Sequence, residues 1–232
     1  FLLWHTYEIH SPYAPPSRYI ENWAPKSYDG ELKQVVEGLE GQSFAEKWGS
    51  MKTRFWKNRA SFGWVESAYL HGLYKAGIRY TDDRLARLFE GLRKSGLLDR
   101  SIVVIMSDHG EEFFEHGRWQ HEQLFEECLR VPLFIRLPGG VAGGTRIDTP
   151  VSLMDIMPTV LDLLEVDVEP LELSGPVRLA GTSLAPAMLG EGTVRERPIV
   201  SELRVDREGG GEYQWMVAVH QNGFKFIHDR YR

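Results

Sequence analysis

Ile102-Val103-Val104-Ile105-Met106-Ser107-Asp108-His109-Gly110-Glu111 is the stretch that decides the fold. Its first five residues are apolar and mostly β-branched, the composition of a short strand buried on both faces. The chain before it supplies a helix: residues 65–92 turn to a helical pattern in which Leu85, Leu88, Phe89 and Leu92 fall at i, i+3, i+4 and i+7, and Lys94-Ser95-Gly96 ends it. This spacing predicts one long helix, or two in succession, as the crossover that feeds a central parallel strand. Ligands in open α/β sheets gather at the carboxyl ends of strands, so Asp108 and His109 are delivered where a site is expected.

Working outward, residues 131–135 form a second strand-like run before the turn Pro138-Gly139-Gly140. Leu153, Ile156, Met157, Val160, Leu161 and Leu164 then keep one apolar helical face, with Asp155 placed to cap and Pro158 in the first turn, where its missing N–H is not needed. Alternation of strand and helix on this scale predicts an α/β fold, a mainly parallel sheet flanked by helices. Beyond Glu165 the texture changes to Gly, Pro and acidic residues up to Arg197, followed by strand-like residues 199–203, 215–219 and 224–227. The expected organisation is therefore residues 1–165 as one domain and 166–232 as a linker with a small, incomplete β-containing subdomain.

Upstream, residues 1–7 read as an apolar strand, and Ser11-Pro12-Tyr13-Ala14-Pro15-Pro16 must be extended loop because closely spaced prolines lack donors and restrict their predecessors. His10 is thus expected where a strand ends and a loop begins. The run opens at Phe1 with no methionine, cap or turn before it, which reads as a chain whose start has been removed. Residues 30–59 read as a partly helical excursion.

The 232 residues are 42% hydrophobic, enough to bury a sizeable core, and their 27 basic against 33 acidic residues give a net charge of -6. That balance argues against a broad nucleic-acid surface and does not predict attraction to anionic lipid. The aliphatic run 102–106 is far short of the ~20 residues a membrane-spanning helix needs. A single cysteine, Cys128, excludes an intrachain disulfide framework and any multi-cysteine metal site.

A carboxylate and an imidazole side by side, as in Asp108-His109, suit a divalent cation, and Gly110 permits a tight turn beside them. The plain alternative is an Asp that caps the next helix. The loop 111–120 adds His116 and leads to His121, read as opening a helical run over 122–129, where free backbone donors favour an anion. For His10 the alternative is a loop histidine packed on Tyr7 or Pro12; for His121, an ordinary polar helix start. His116 is read as structural.

The ordered run Asp82-Asp83, Leu97-Leu98-Asp99, Ser107-Asp108-His109-Gly110-Glu111, Glu115-His116-Gly117, His121, Phe125-Glu126-Glu127, Leu129-Arg130-Val131-Pro132, Asp155-Ile156-Met157-Pro158-Thr159 and Gly181-Thr182-Ser183-Leu184 resembles the second half of the catalytic domain of the sulfatase family, within the alkaline phosphatase superfamily. The resemblance implies an alkaline phosphatase-like fold and a hydrolase of sulfate monoesters, its substrate a small-molecule or sugar sulfate ester. It also implies that Asp108 and His109 ligate a Ca²⁺ ion, and that His121 and the histidine of His10-Ser11-Pro12 touch the sulfate or its leaving-group oxygen. Such a leaving group must gain a proton, which imidazole near pKa ~6.5 can donate near neutral pH.

The family's nucleophile, a formylglycine made within Cys/Ser-x-Pro-x-Arg, and two further aspartates of the metal site are expected in a missing N-terminal part. Ser174-Gly175-Pro176-Val177-Arg178 matches that pattern literally but follows the Asp155 helix in a Gly/Pro linker, and is read as coincidence. The alternatives are a phosphate or phosphonate monoester hydrolase of the same superfamily, using Zn²⁺ or Mn²⁺, and a noncatalytic module. The sharpest expectation is that His10, Asp108, His109 and His121 converge on one pocket.

Overall fold

A computed structural model of the chain describes residues 1–51, 61–166, 179–206 and 213–230. The Ser174–Arg178 match lies outside the described residues. The elements run α1 (Ser17–Trp23), α2 (Glu31–Glu37), α3 (Phe44–Met51), α4 (Trp64–Lys94), β1 (Val103–Met106), β2 (Glu112–Phe113), β3 (Trp119–Gln120), α5 (Glu126–Leu129), β4 (Leu133–Arg136), α6 (Ile156–Leu163), α7 (Ala185–Met188), β5 (Ile199–Asp206), β6 (Tyr213–Gln221) and β7 (Phe224–Asp229). They group into two compact units, Phe1–Lys94 with Glu112–Gln120, and Ser95–Glu111 with His121–Arg232. Among the described residues no helix is long and apolar enough to cross a membrane.

The first unit is helical and built around α4. Tyr69, Leu70, Leu73 and Ala76 form its buried face, and α2 offers Leu32, Val35 and Val36 at i, i+3 and i+4. With Tyr13, Tyr28, Leu39, Phe113 and Trp119 these make one core, each fully buried leucine contributing about 1.5–3 kcal/mol. Main chains come unusually close along α4: a Cβ at Gly72 would stand 2.7 Å from Ala24 Cα, and one at Gly77 would stand 3.0 Å from Glu8 O. Residues 52–60 of the expected excursion lie outside the described residues; before them it resolves into α2 and α3.

The small hairpin β2–β3 belongs to this unit. Ser67 Oγ donates to Phe113 O, and the fully buried Glu112 carboxylate accepts the backbone amides of His116 at 2.8 Å and Arg118 at 3.1 Å. A buried carboxylate is tolerable where amides solvate it in place of water.

Residues 1–7 form no strand. Phe1, Leu2 and Leu3 are exposed, and no ladder pairs them among the described residues. The apolar pattern shows which residues could line a strand, but a strand exists only as a pairing, and local sequence does not carry the partner.

In the second unit β1 pairs antiparallel with β4, Val104 opposite Ile135 and Met106 opposite Leu133. The parallel pairing expected for β1 is not found: every strand pair among the described residues is antiparallel. The physical reason lies in the connection. A parallel return needs a crossover of a dozen or more residues, usually helical, whereas 107–132 holds only the four-residue α5 and the short β2–β3 hairpin. The strand is also half-buried, with Met106 47% exposed, where burial on both faces was expected.

The C-terminal segment forms the antiparallel meander β5-β6-β7, and the sequence-expected strands sit inside these longer ones. Asn222-Gly223 closes β6 to β7 with both residues at positive φ, the two-residue turn that matches strand twist. Met216 and Ala218 pack with Leu124, and Leu129, Leu203 and Ile227 flank them. Ser152 caps the short turn Leu153–Asp155 that leads into α6; Asp155 holds the N-cap position of α6, but its side chain makes no cap bond to that helix and instead accepts the Ser152 amide at 2.8 Å. The Asp155 carboxylate also accepts the Thr182 amide at 2.8 Å and an Arg197 guanidinium hydrogen bond, so it ties three separate segments together.

Candidate metal and anion site

The loop that leaves β1 carries the candidate ligands. Ser107 Oγ donates to His109 O at 2.6 Å, and His109 N donates to Asp108 Oδ1 at 3.0 Å, so the turn is folded by its own polar groups. His109 Nδ1 lies 2.8 Å from Gly110 O. A carbonyl only accepts, so Nδ1 carries the proton and the neutral ring's lone pair sits on Nε2, the form that ligates a metal. His109 Nε2 lies 3.8 Å from Asp108 Oδ1, a span one cation ~2.0–2.6 Å from each ligand can bridge. The donor set, one carboxylate oxygen and one imidazole nitrogen, fits a divalent cation.

Gly110 earns its place by close approach, not by an unusual backbone angle. Its amide donates to Cys128 O at 2.8 Å and the next amide, that of Glu111, to Glu127 O at 3.0 Å; a Cβ at Gly110 would stand 1.9 Å from Glu127 O. The loop is therefore pinned along α5.

His121 does not open a helix. It lies in a turn, and α5 begins only at Glu126 behind Phe125, so the expected helix-start donors are not there. The structure instead places its ring beside His109, centroids 4.0 Å apart, with a ring nitrogen of each within 4.8 Å of the other. Its Nδ1 meets Glu111 Oε1 at 2.9 Å. This hydrogen bond raises the His121 pKa above the ordinary histidine value; burial opposes, and the charges of Glu111, Glu122 and Asp108 add to the rise. Glu111 was missed at sequence level, because no spacing rule joins a loop carboxylate to a histidine ten residues on.

Asp108, His109 and His121 are thus brought together in the second unit. His10 belongs to the first. It sits in a bend, half-buried, its Nδ1 2.7 Å from Ser11 O, with Tyr7 edge-on at 5.7 Å and Trp48 at 5.8 Å. His116 also belongs to the first unit, where its amide caps onto Glu112.

A carboxylate and two imidazoles gathered after a strand are residue types that suit a divalent cation or an anion. The sequence profile of the Sulfatase family matches residues 1–166, and the chain belongs to that family. It is 32% identical over 157 residues to the choline-sulfatase of Rhizobium meliloti, covering 67% of this chain and 28% of that protein. It is 31% identical over 161 residues to the N-acetylglucosamine-6-O-sulfatase of Bacteroides thetaiotaomicron, covering 69% and 27%. The chain therefore spans less than a third of the length of these relatives. The phosphonate monoester hydrolase of Agrobacterium radiobacter shares the fold, with a TM-score of 0.59 at 24% identity over 71% of this chain and 34% of that one.

Proposed function

We propose that these residues are part of a hydrolase that cleaves sulfate monoesters of small molecules or sugars, with its formylglycine nucleophile supplied from outside them. The observation that carries the reading is the Asp108–His109 pair, 3.8 Å apart and flanked by His121, in a chain of the Sulfatase family. The relatives named above, a choline-sulfatase and an N-acetylglucosamine-6-O-sulfatase, favour sulfate over phosphate or phosphonate esters.

In this reading Asp108 Oδ1 and His109 Nε2 hold a divalent cation, Ca²⁺ by family resemblance, with Zn²⁺ or Mn²⁺ as the alternatives an imidazole donor also suits. When bound, the cation neutralises charge on the sulfate oxygens. Two ligands fall short of the ~6–8 oxygens Ca²⁺ prefers, so further ligands belong to the rest of the protein. His121 donates a hydrogen bond to the sulfate or a proton to the leaving oxygen, a role whose loss removes roughly 10²–10⁴ in rate. His10, through His10-Ser11-Pro12, is assigned the second leaving-group position. Residues 1–165 belong to the catalytic domain, β1 taking its place in a mainly parallel sheet, and 166–232 lead into the C-terminal subdomain.

The coding sequence upstream of Phe1 tests this directly. It is expected to carry Cys/Ser-x-Pro-x-Arg and an Asp-Asp pair; a frame with neither overturns the assignment.

A further inference from the structure

We propose that Glu111 is the positioning residue of His121: its carboxylate fixes which ring nitrogen bears the proton and which way the ring faces. The use of that orientation in sulfate-ester cleavage rests on the reading given above.

The argument begins with burial. The Glu111 side chain is only 4% exposed, and a carboxylate taken from water needs a donor in return. His121 Nδ1, 2.9 Å from Oε1, supplies it. The ionised carboxylate can only accept, so Nδ1 is the protonated nitrogen of the neutral ring, and a second proton, taken up at Nε2, is the one the ring can give to a substrate oxygen. This is the arrangement by which a carboxylate behind a histidine selects its tautomer and holds its plane, whether the ring's outer nitrogen then meets a metal or a reacting group.

Glu111 is itself held. Its amide is bound to Glu127 O at 3.0 Å and that of Gly110 to Cys128 O at 2.8 Å, so α5 pins the main chain from which the carboxylate extends. His121 lies in a turn. The buried glutamate, extended from a main chain held by α5, is thus the fixed point against which the ring is oriented. Its neighbours Asp108 and His109 precede it on the same loop, so one short segment sets the cation ligands and the orientation of the acid together.

Ring-nitrogen NMR of the histidine-labelled chain, at alkaline pH where the ring is neutral, reads this directly. The expected signature is a hydrogen-bonded Nδ1–H on His121, kept in Glu111→Gln, whose amide oxygen accepts the same bond, and lost in Glu111→Ala. A wild-type ring protonated on Nε2 overturns the proposal without any variant, and so does an unchanged tautomer in a folded Glu111→Ala. Addition of inorganic sulfate at lower pH, where the ring is protonated on both nitrogens and Nε2 can donate, separates the two ideas: a shift of the Nε2 resonance supports the site reading, whereas a fixed Nδ1–H with an indifferent Nε2 upholds the positioning and sinks the catalytic use.

Discussion

The rings of His109 and His121 lie with centroids 4.0 Å apart, inclined by 30°. His109 Nε2 lies 3.8 Å from Asp108 Oδ1, whereas the Nδ1 of His121 is engaged by Glu111, and Asp108 and His109 are therefore taken as the ligand pair. Replacing Asp108 or His109 with alanine is expected to weaken binding of Mn²⁺ or Ca²⁺ to the chain by at least about tenfold, while His121→Ala changes it far less. Calorimetric titration of the three variants checks this; equal losses for all three would show that His121 is itself a ligand.

Gly110→Ala is expected to destabilise the second unit by about 1–3 kcal/mol, the usual result of forcing a group into filled space. Its Cβ would meet Glu127 O at 1.9 Å, and the loop must lift away from α5, taking Glu111 with it. Urea unfolding measures the loss, and an unchanged midpoint would show that the loop accommodates the methyl.

Tyr69 is buried in the first unit and stacked on Tyr28 at 4.3 Å. Burial, with smaller contributions from the charges of Glu37 and Tyr28, pushes its hydroxyl up to about 12. An unfolded tyrosine ionises near ~10, so the fold disfavours tyrosinate. The stability this represents is complete below about pH 10 and is lost as pH rises toward the folded value. Spectroscopic titration should find a tyrosine ionising late and together with unfolding, and Tyr69→Phe should soften the alkaline loss. A tyrosinate forming at the ordinary pH in folded protein contradicts it.

The 232-residue chain alone is expected to turn over no aryl sulfate, because its one literal nucleophile match, Ser174 to Arg178, is read as coincidence. Turnover by the purified chain that disappears in Ser174→Ala would reverse that judgement.

Much of the scaffold was readable because its signals are local. The periodicity that placed a helix over 65–92 matches α4 at Trp64–Lys94, and the apolar run before Ser107 is β1. The three C-terminal strands were found from their β-rich runs, each a few residues short. What local sequence did not carry depends on partners. The strand expected over 1–7 lacks its ladder among the described residues, β1 pairs antiparallel with β4 because no long helix separates them, and Asp155, at the N-cap of α6, gives its carboxylate to Ser152, Thr182 and Arg197 and not to that helix. At the site, Asp108 and His109 were named from a strand end and a resemblance, but the bond from Glu111 to His121 spans a hairpin and could be seen only in three dimensions.

The glycines of α4 carry a lesson for anyone engineering this chain. Swapping helical glycine for alanine is a routine route to thermostability, worth roughly 0.5–1 kcal/mol where nothing is in the way. At Gly91, where a methyl would meet nothing within 4 Å, that gain is expected and a melting curve will show it. At Gly72, where the methyl would stand 2.7 Å from Ala24 Cα, the same swap wedges two main chains apart, and at Gly77, 3.0 Å from Glu8 O, it requires the neighbouring main chain to give by a few tenths of an ångström. One helix thus holds a free improvement at Gly91, a tight fit at Gly77 and a clash at Gly72, and helix propensity by itself ranks all three alike.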